Sequence, residues 1–368
     1  LLGSPSENIW YTVSLKPGLK KADGSDAFGG AFGDGYAWDF EVSTFVDVTP
    51  PKVESVIPDA GVTEDRNILV QVNFDEAMDP TTVAGKNTVS GGISVGFNKI
   101  TVTADGSPVA GTWAIGNQYK TIEFTTDFRC GTNSCGGDVY CLPENADIEV
   151  TVKAARLGTT PPEAEMPYTG ATDVVGNSLD GDGNDTAEGP ATDNYVWDFS
   201  TNNEINLIPP RIEGVTPGPP SSIADWPAGI NNVSLDAPIE MSFDKVMSIT
   251  SFTSENIILD DNEQEKCAIW FTNGGANFNR AGDGKLVTKA IIYHGEFIES
   301  TEALVPAPTC DGEDVDEQLV QYFPRATHRI KDIYQNCFFT PPTAGPQGPA
   351  GGTTCTDPVG AGCTWDVE

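Results

Sequence analysis

Basic residues are scarce in this chain of 368 residues. Lysine and arginine together number 20, aspartate and glutamate number 54, and the formal net charge is −34. A chain without a basic patch cannot displace the counterions of nucleic acid phosphates or anionic membranes. We therefore exclude nucleic acid and anionic lipid surfaces as partners. The acidic surface favours cations, although strong acidity is also typical of a protein that is merely soluble.

Long apolar runs are missing as well. No stretch of 18 or more apolar residues occurs, so the sequence predicts no membrane span. The first residues, LLGSPSEN, lack the basic segment and the full apolar stretch of an intact signal peptide. We interpret the chain as a processed or partial product.

Catalytic motifs are rare. The chain has two histidines, His294 and His328, and it has no HExxH, Walker A or dinucleotide-binding fingerprint. GISVG at 92–96 matches a nucleophile motif, which requires Ser94 on a strand-to-helix turn with a histidine partner. The residues after Ser94 alternate as a strand does, so we interpret Ser94 as a strand residue and expect no enzymatic activity.

None of the eight cysteines forms a CxxC pair, so the sequence predicts disulfides rather than a zinc site. Disulfides indicate an oxidising, extracellular compartment. We expect Cys141 to pair with either Cys130 or Cys135, which leaves one thiol for a bridge between repeats. Cys337 and Cys355 flank a loop and form another expected pair. The predicted disulfide cysteines are Cys130, Cys135, Cys141, Cys267, Cys310, Cys337, Cys355 and Cys363.

The chain repeats itself around three tryptophans. Trp38, Trp197 and Trp365 lie in GYAWDFEVST, NYVWDFSTNN and GCTWDVE, where aromatic and acidic residues alternate. This alternation is typical of a half-buried strand. The sequences after the first two also match, as DVTPPKVESVIPDAG and NLIPPRIEGVTPGPP. A repeat at this period predicts tandem domains of roughly 160 residues.

We place the domains at 1–49, which would hold only the final strands of a domain, at 50–207, and at 208–368. The last would carry long loop insertions. Few segments show helical periodicity, and many short strands separated by Gly, Pro, Asn and Asp are typical of β-sandwiches.

TPPKVESVIPDAG, NFDEAMDPTTV, TDVVGNSL at 172–179 and YVWDF at 195–199 occur in this order along the chain. In these motifs and their order, the repeats resemble bacterial Ig-like domains of the SbsA (S-layer) type. The resemblance is weaker in 208–368, where Gln335-Asn336 replaces the usual Gly-Asn. It implies an all-β fold of tandem Ig-like β-sandwich domains joined by short Pro-rich linkers. It also implies a surface context like that of S-layer proteins, adhesins and multidomain secreted enzymes.

The loop LDGDGNDTAEG at 179–189 is the candidate metal site. Asp180, Asp182 and Asn184 occupy positions 1, 3 and 5 of a calcium loop, where alternating oxygens can converge on one ion. Asp185 stands where an EF-hand requires glycine, and Ala191 stands where an EF-hand has a bidentate glutamate. Glu188 and backbone carbonyls would therefore complete the site. We predict that Asp180, Asp182, Asn184 and Glu188 bind calcium; the alternative is a solvated acidic hairpin loop.

Cations could also bind at the domain junctions, beside Asp47 and Glu204. A plain extended Pro-rich linker is the favoured interpretation there.

We expect an extracellular structural protein of the cell surface: an S-layer, stalk or filament subunit that associates with itself or with other cell-surface proteins. The strands of 1–49 would expose unpaired edges, so we expect upstream sequence or strand addition from a neighbouring subunit to complete them. The alternative is an adhesin that binds carbohydrate or protein through its loops. The candidate surface is 274–326, with Tyr293, Phe297 and Tyr322. A third hypothesis, an accessory part of a secreted enzyme, requires a catalytic domain elsewhere.

Overall fold

A computed structural model describes residues 8–21, 24–28, 35–133, 135–217, 237–261, 269–296, 322–338 and 364–366. Their regular secondary structure is almost entirely β-strand, in mostly antiparallel sheets, so the predicted all-β class is confirmed. They fall into two compact units, one up to residue 48 and the other from residue 49 onwards. Within the described residues, no helix is long and apolar enough to cross a membrane.

The first unit contains an antiparallel hairpin of β1 (Ile9–Leu15) and β2 (Tyr36–Val42). The register runs from Ile9 opposite Val42 to Leu15 opposite Tyr36. The rings of Tyr11 and Phe40 stack on this hairpin with their centroids 5.6 Å apart. The described residues give each of these two strands one hydrogen-bonded neighbour.

The second unit begins with a pair of sheets that we call the first sandwich. Its strands are β3 (Val53–Ile57), β4 (Thr63–Glu64), β5 (Val70–Phe74), β6 (Gly85–Ser90), β7 (Ile93–Gly96), β8 (Ile100–Ala104), β9 (Ser107–Pro108), β10 (Gly111–Gly116), β11 (Thr121–Thr126), β12 (Arg129–Thr132), β13 (Asp138–Tyr140), β14 (Asp147–Val152) and β15 (Tyr195–Thr201). One short helix, α1 (Pro80–Val83), follows β5.

The strands of the first sandwich form two sheets around one core. Their orders are β3-β5-β11-β10-β6-β7 and β4-β15-β14-β8-β9, and β12 and β13 form a separate hairpin. Alternate residues of each strand face the other sheet, so Val70, Val72 and Phe74 of β5 are buried with Trp197 and Phe199 of β15. The aromatic residues of YVWDF therefore include core residues.

The rest of the second unit forms a smaller pair of sheets, the second sandwich. Its strands are β16 (Ile212–Thr216), β17 (Ile239–Phe243), β18 (Ile257–Asp261), β19 (Ile269–Asn279), β20 (Leu286–Glu296), β21 (Tyr322–Thr327) and β22 (Thr364–Asp366). The sheets have the orders β16-β17-β20-β19 and β18-β21-β22, and the 3-10 helix Ile249–Ser251 follows β17. Ile239, Met241 and Phe243 of β17 supply its core, with Ile257 and Leu259 of β18.

Equivalent residues of the two repeats take equivalent positions in the sandwiches. Met78 forms an isolated antiparallel bridge with Asp173, and Met247 forms the same kind of bridge with Asp332. Both methionine side chains are fully buried. The sequence match between the repeats thus reflects matching backbone pairing. The Ig-like topology of the tandem domains stays a prediction.

The predicted loop insertion 274–326 is partly a strand pair. β19 and β20 pair over their whole length, from Ile269 opposite Glu296 to Asn279 opposite Leu286. The run Asn-Gly-Gly-Ala-Asn is poor in strand-forming residues, which explains the incorrect prediction. A Cβ on Gly275 would lie 3.1 Å from both Ile249 and Phe252, so a glycine admits these side chains against the strand. Phe297 and the residues up to 321 lie outside the described residues.

Candidate functional site

The acidic loop 179–193 belongs to the connection between β14 and β15 and begins at a buried carboxylate. The backbone N–H of Asp180 donates to the carbonyl oxygen of Pro51 at 2.9 Å, which fixes the start of the loop on the first sandwich. The carboxylate of Asp180 accepts from the backbone N–H groups of Gly183 at 2.8 Å, Asn184 at 3.2 Å and Asp185 at 2.7 Å. Asp180 therefore organises the backbone of its own loop.

Asp193 closes the other end of the loop and is also buried. Its backbone N–H donates to the carbonyl oxygen of Gly189 at 3.0 Å. Its Oδ2 accepts from the N–H groups of Glu188 and of Gly189, the latter at 2.7 Å. Its Oδ1 has no hydrogen-bond partner in the described part of the chain, although the residue is 0% exposed. A buried carboxylate oxygen without a partner is costly, so this atom requires an explanation.

Three carboxylates converge where the two ends of the loop meet. Asp180, Asp182 and Asp193 each contribute one carboxylate oxygen, and these oxygens lie within 4.8 Å of one another. The approach depends on Gly181, because a Cβ there would lie 1.9 Å from the carbonyl oxygen of Asp193. A residue with a side chain at position 181 would force the two ends of the loop apart.

Of the four predicted calcium ligands, the structure thus brings together Asp180 and Asp182. The other two, Asn184 and Glu188, form a hydrogen bond, in which the Asn184 side-chain amide donates to Glu188 Oε2 at 3.0 Å. The same amide also donates to Asp182 Oδ2 at 3.1 Å. Asp193 is not among the ligands predicted from the sequence, because it lies beyond the twelve positions of a calcium loop. The available signal was a lone aspartate directly before the strand NYVWDF.

Burial and the neighbouring negative charges act in the same direction on the pKa of Asp193. Burial raises the pKa of Asp193, and the negative charges of Asp180 and Asp182 raise this pKa further against the two backbone hydrogen bonds that Asp193 accepts. Lys52 lies beside the loop, with its Nζ 3.9 Å from Asp180 Oδ2 and in an ion pair with Asp185. The hydrogen bond that the Lys52 side chain donates to Asp185 raises the pKa of Lys52. The lysine is bonded mainly to the exposed Asp185 rather than to the three converging carboxylates.

A second cluster joins the two sandwiches through the side chain of Glu123. Glu123 belongs to β11 and is 1% exposed. Its Oε1 accepts from the backbone N–H of Ile249 at 2.7 Å, and its Oε2 accepts from the Ser248 hydroxyl at 2.7 Å and from the backbone N–H of Thr250 at 3.3 Å. Gln71 of the first sandwich donates to Oε1 at 2.8 Å. Ser248 makes no side-chain cap for the 3-10 helix, so Glu123 of the other sandwich supplies it.

Gln335 makes a further set of contacts across the junction. Its side-chain amide donates to the carbonyl oxygens of Asn67 at 2.8 Å and Tyr140 at 2.7 Å, and its Oε1 accepts from the Tyr140 N–H at 2.9 Å. Gln335 has a φ of +68°, and Gly176 of the first repeat has +98°. Glutamine at this left-handed position is therefore strained, and the contacts of its side chain with the first sandwich explain why it occupies a glycine position.

The segment between the sandwiches, residues 202–211, is hydrogen-bonded to both of them through Asn206. The backbone N–H of Asn206 donates to Asn67 Oδ1 at 2.9 Å, and the carbonyl oxygen of Asn206 accepts from the side chains of Asn67 at 2.8 Å and Asn336 at 3.1 Å. The expected plain, extended Pro-rich linker is thus anchored to both sandwiches at Asn206. Glu204 and Asp47, the predicted junction acids, are both exposed.

Two disulfides lie near the junction. Cys130 pairs with Cys141 across the β12–β13 hairpin, which is one of the two pairings left open by the sequence. Cys135 pairs with Cys337 and joins the two sandwiches covalently, so the expected Cys337–Cys355 pair is wrong. The structure shows why: Asn133 donates to the carbonyl oxygen of Gln335 at 2.8 Å and holds the two loops together. Cys267, Cys310, Cys355 and Cys363 lie outside the described residues.

The motif GISVG is part of a β-hairpin. Ser94 lies within β7, opposite Val89 of β6, and no helix follows it before β8. The strand-to-helix turn of a nucleophile motif is therefore not formed at this position.

No protein-family model and no curated protein matches the chain. Among solved structures, the chain is similar to the N-terminal part of the bacterial S-layer protein SbsC, to the S-layer protein rSbsC(31-844), and to domains 1–6 of surface layer protein SbsC. Identities are 13%, 12% and 13%, and TM-scores are 0.23, 0.23 and 0.24. Each match covers 65% of this chain and 37%, 22% and 22% of those chains. The matched parts are less than half of each S-layer chain, and TM-scores this low establish neither a shared family nor a shared function.

Proposed function

We propose that this protein is a structural component of a cell surface in which the two sandwiches act as one rigid element. The proposal rests on the buried and covalent contacts that cross the junction between the two sandwiches. Domains joined by a short linker move relative to each other unless their interface is extensive and well packed. Here a buried carboxylate, the strained Gln335 and the Cys135–Cys337 disulfide all cross the junction. Rigidity of this kind supports a role in spacing or assembly rather than in catalysis.

The chemistry of the chain supports the location. Disulfides persist in oxidising compartments outside the cytosol, and the described residues contain two of them, Cys130–Cys141 within the first sandwich and Cys135–Cys337 between the sandwiches. A formal net charge of −34 keeps subunits soluble and apart until cations screen it. An extracellular surface provides both conditions.

The hairpin of β1 and β2 is the proposed assembly element. Among the described residues this sheet has two strands. A two-stranded sheet is marginally stable by itself, and the edge of such a sheet is a template for the addition of another strand. Trp10 is 67% exposed on this hairpin, and Phe45, just beyond it, is 90% exposed. We therefore propose that a strand of another subunit adds to the hairpin and covers these side chains.

Sedimentation velocity and negative-stain microscopy of the full chain test the proposal. We expect assemblies that grow with protein concentration, and we expect deletion of residues 1–48 to abolish them while the thermal unfolding of the sandwiches is retained. A full chain that stays monomeric at all concentrations, or assemblies that survive the deletion, would contradict the assembly role.

The alternative function, an adhesin that binds carbohydrate or protein, is tested by a different experiment. Tyr293 lies on β20 and is 40% exposed. Glycan-array binding that disappears on deletion of residues 297–321, with no self-association, would favour the adhesin over the structural role.

A further inference from the structure

The Oδ1 of Asp193 is buried without a hydrogen-bond partner among the described residues. Burial of a carboxylate oxygen without a partner costs several times the free energy that a typical hydrogen bond contributes, so proteins rarely tolerate it. The backbone N–H groups of Glu188 and Gly189 satisfy only Oδ2. The negative charges of Asp180 and Asp182 add repulsion, and the loop imposes this repulsion because Gly181 lets its two ends come close together. The arrangement is stabilised if a cation stands between the three groups.

The spacing of the oxygens fits such an ion. Calcium binds oxygen at about 2.3–2.6 Å, so two oxygens on one ion lie at most about 5 Å apart. The three carboxylate oxygens already lie within 4.8 Å of one another. Magnesium binds oxygen at about 2.0–2.1 Å in a near-octahedral shell and gives up its waters reluctantly, so it is a poorer match for a loop of three carboxylates.

The donor set also restricts the chemistry. All three groups are carboxylates, which are hard oxygen ligands, and cysteine and histidine take no part in the cluster. The exposed Asp182 leaves one side of the cluster open to water, which can complete the shell of six to eight ligands that calcium requires. Lys52 offsets only part of the negative charge, because its closer ion pair is with the exposed Asp185 and its Nζ lies 3.9 Å from Asp180 Oδ2.

We propose that Asp180, Asp182 and Asp193 bind one calcium ion, with Asp193 as the ligand that closes the loop. The ion clamps the end of the loop onto the start of β15. The binding of calcium at this site does not depend on the proposed cell-surface role, and the two proposals can fail separately.

Asp193→Asn is the decisive variant. Its side-chain oxygen can still accept from Glu188 and Gly189, while an amide replaces the unpaired oxygen and one charge is removed. In the calcium-free protein we expect this variant to melt at the same temperature as the wild type or higher, because repulsion is relieved. With calcium added, we expect the wild type to melt at a higher temperature and the variant not to respond.

Titration calorimetry with calcium chloride measures the site directly. The full chain, first treated with chelator, should bind calcium, and Asp193→Asn should lose one equivalent or bind it at least about tenfold more weakly. Asp198→Asn is the matched control, since it removes the same charge from the exposed face of β15 and should bind as the wild type does. Magnesium chloride should compete poorly.

Four results would overturn the proposal. They are a wild type without a calcium-dependent melting shift, an Asp193→Asn variant that keeps the shift and the stoichiometry, an equal loss of binding in Asp198→Asn, and magnesium binding as tight as that of calcium. The last two would indicate general attraction of cations to an acidic surface.

Discussion

The carboxylate of Glu123 in the first sandwich accepts a hydrogen bond from the backbone N–H of Ile249 in the second, at 2.7 Å. The two residues are 126 positions apart in the chain. The contact is buried, so water cannot replace its hydrogen bonds, and a movement of one sandwich away from the other would leave buried polar groups without partners. It makes the junction part of the fold rather than a contact between two independent bodies.

Replacement of Glu123 by glutamine should destabilise the junction. The glutamine amide would place a donor group opposite the N–H and hydroxyl donors of residues 248–250, so at least one buried group loses its partner. We expect a loss of about 2–4 kcal/mol in the free energy of unfolding, measured by urea denaturation.

Glu149→Gln is the control for this change, because Glu149 lies exposed on β14 and should tolerate the substitution within about 0.5 kcal/mol. Equal effects of the two variants would mean that Glu123 is not a structural link.

The two disulfides should contribute unequally to stability. Cys135–Cys337 closes a loop with a separation of 202 residues, and Cys130–Cys141 closes one of 11. In the chain-entropy model the longer loop stabilises by about 5 kcal/mol and the shorter by about 3 kcal/mol. We therefore expect the Cys135→Ser/Cys337→Ser variant to unfold at a lower denaturant concentration than the Cys130→Ser/Cys141→Ser variant, and the reverse order would show that the long bridge does not stabilise the native junction.

Gln335→Gly separates backbone strain from side-chain contacts. Glycine adopts a φ of +68° without cost, yet it loses the three hydrogen bonds to Asn67 and Tyr140. We expect a net loss of about 1–2 kcal/mol by calorimetry.

Gln118→Gly is the control, since Gln118 has a φ of +55° and an exposed side chain. This variant should be neutral or slightly stabilised. A Gln335→Gly protein more stable than the wild type would mean that strain, not recognition, dominates at position 335.

Asp332 should make stability depend on pH. Burial raises the pKa of Asp332 to about 6, against the hydrogen bonds from Asn336 and the ion pair with Lys245. A raised carboxyl pKa means that the folded state binds the proton more tightly than the unfolded state. The resulting stability is therefore present below the ordinary pKa of about 4 and is lost as the pH rises through 6.

Denaturation of the wild type and Asp332→Asn between pH 4 and 7 measures this effect. Relative to the variant, the wild type should lose about 2–3 kcal/mol over that range. A wild type that gains stability over the variant as the pH rises would show that Lys245 lowers the pKa of Asp332 instead.

Local patterns predicted the strands well and the junction poorly. The alternation in NYVWDF follows from packing on one face, so β15 was predictable, whereas the glycines of β19 concealed a strand whose partner lies in β20. The replacement of Gly-Asn by Gln335-Asn336 was visible as a departure from the repeat. Its reason depends on Asn67 and Tyr140, which no spacing in the sequence places beside it.

In the acidic loop, too, local spacing predicted some residues of the cluster and missed another. Asp180 and Asp182 were predictable because ligands at alternate positions of a turn can face one ion. Asp193 was not, since it joins them only after Gly181 permits a close approach of the chain. Tertiary contacts decide which acids of an acidic chain converge.

Single-molecule stretching of the full chain from its two ends tests most directly whether the sandwiches are joined as one element. Tension should pass from Cys135 to Cys337 and leave the residues between them unextended, because the disulfide spans a separation of 202 residues. The Cys135→Ser/Cys337→Ser variant should then extend by up to about 70 nm more than the wild type. Equal extension of the two proteins would contradict the covalent junction and, with it, the account of a rigid two-sandwich element.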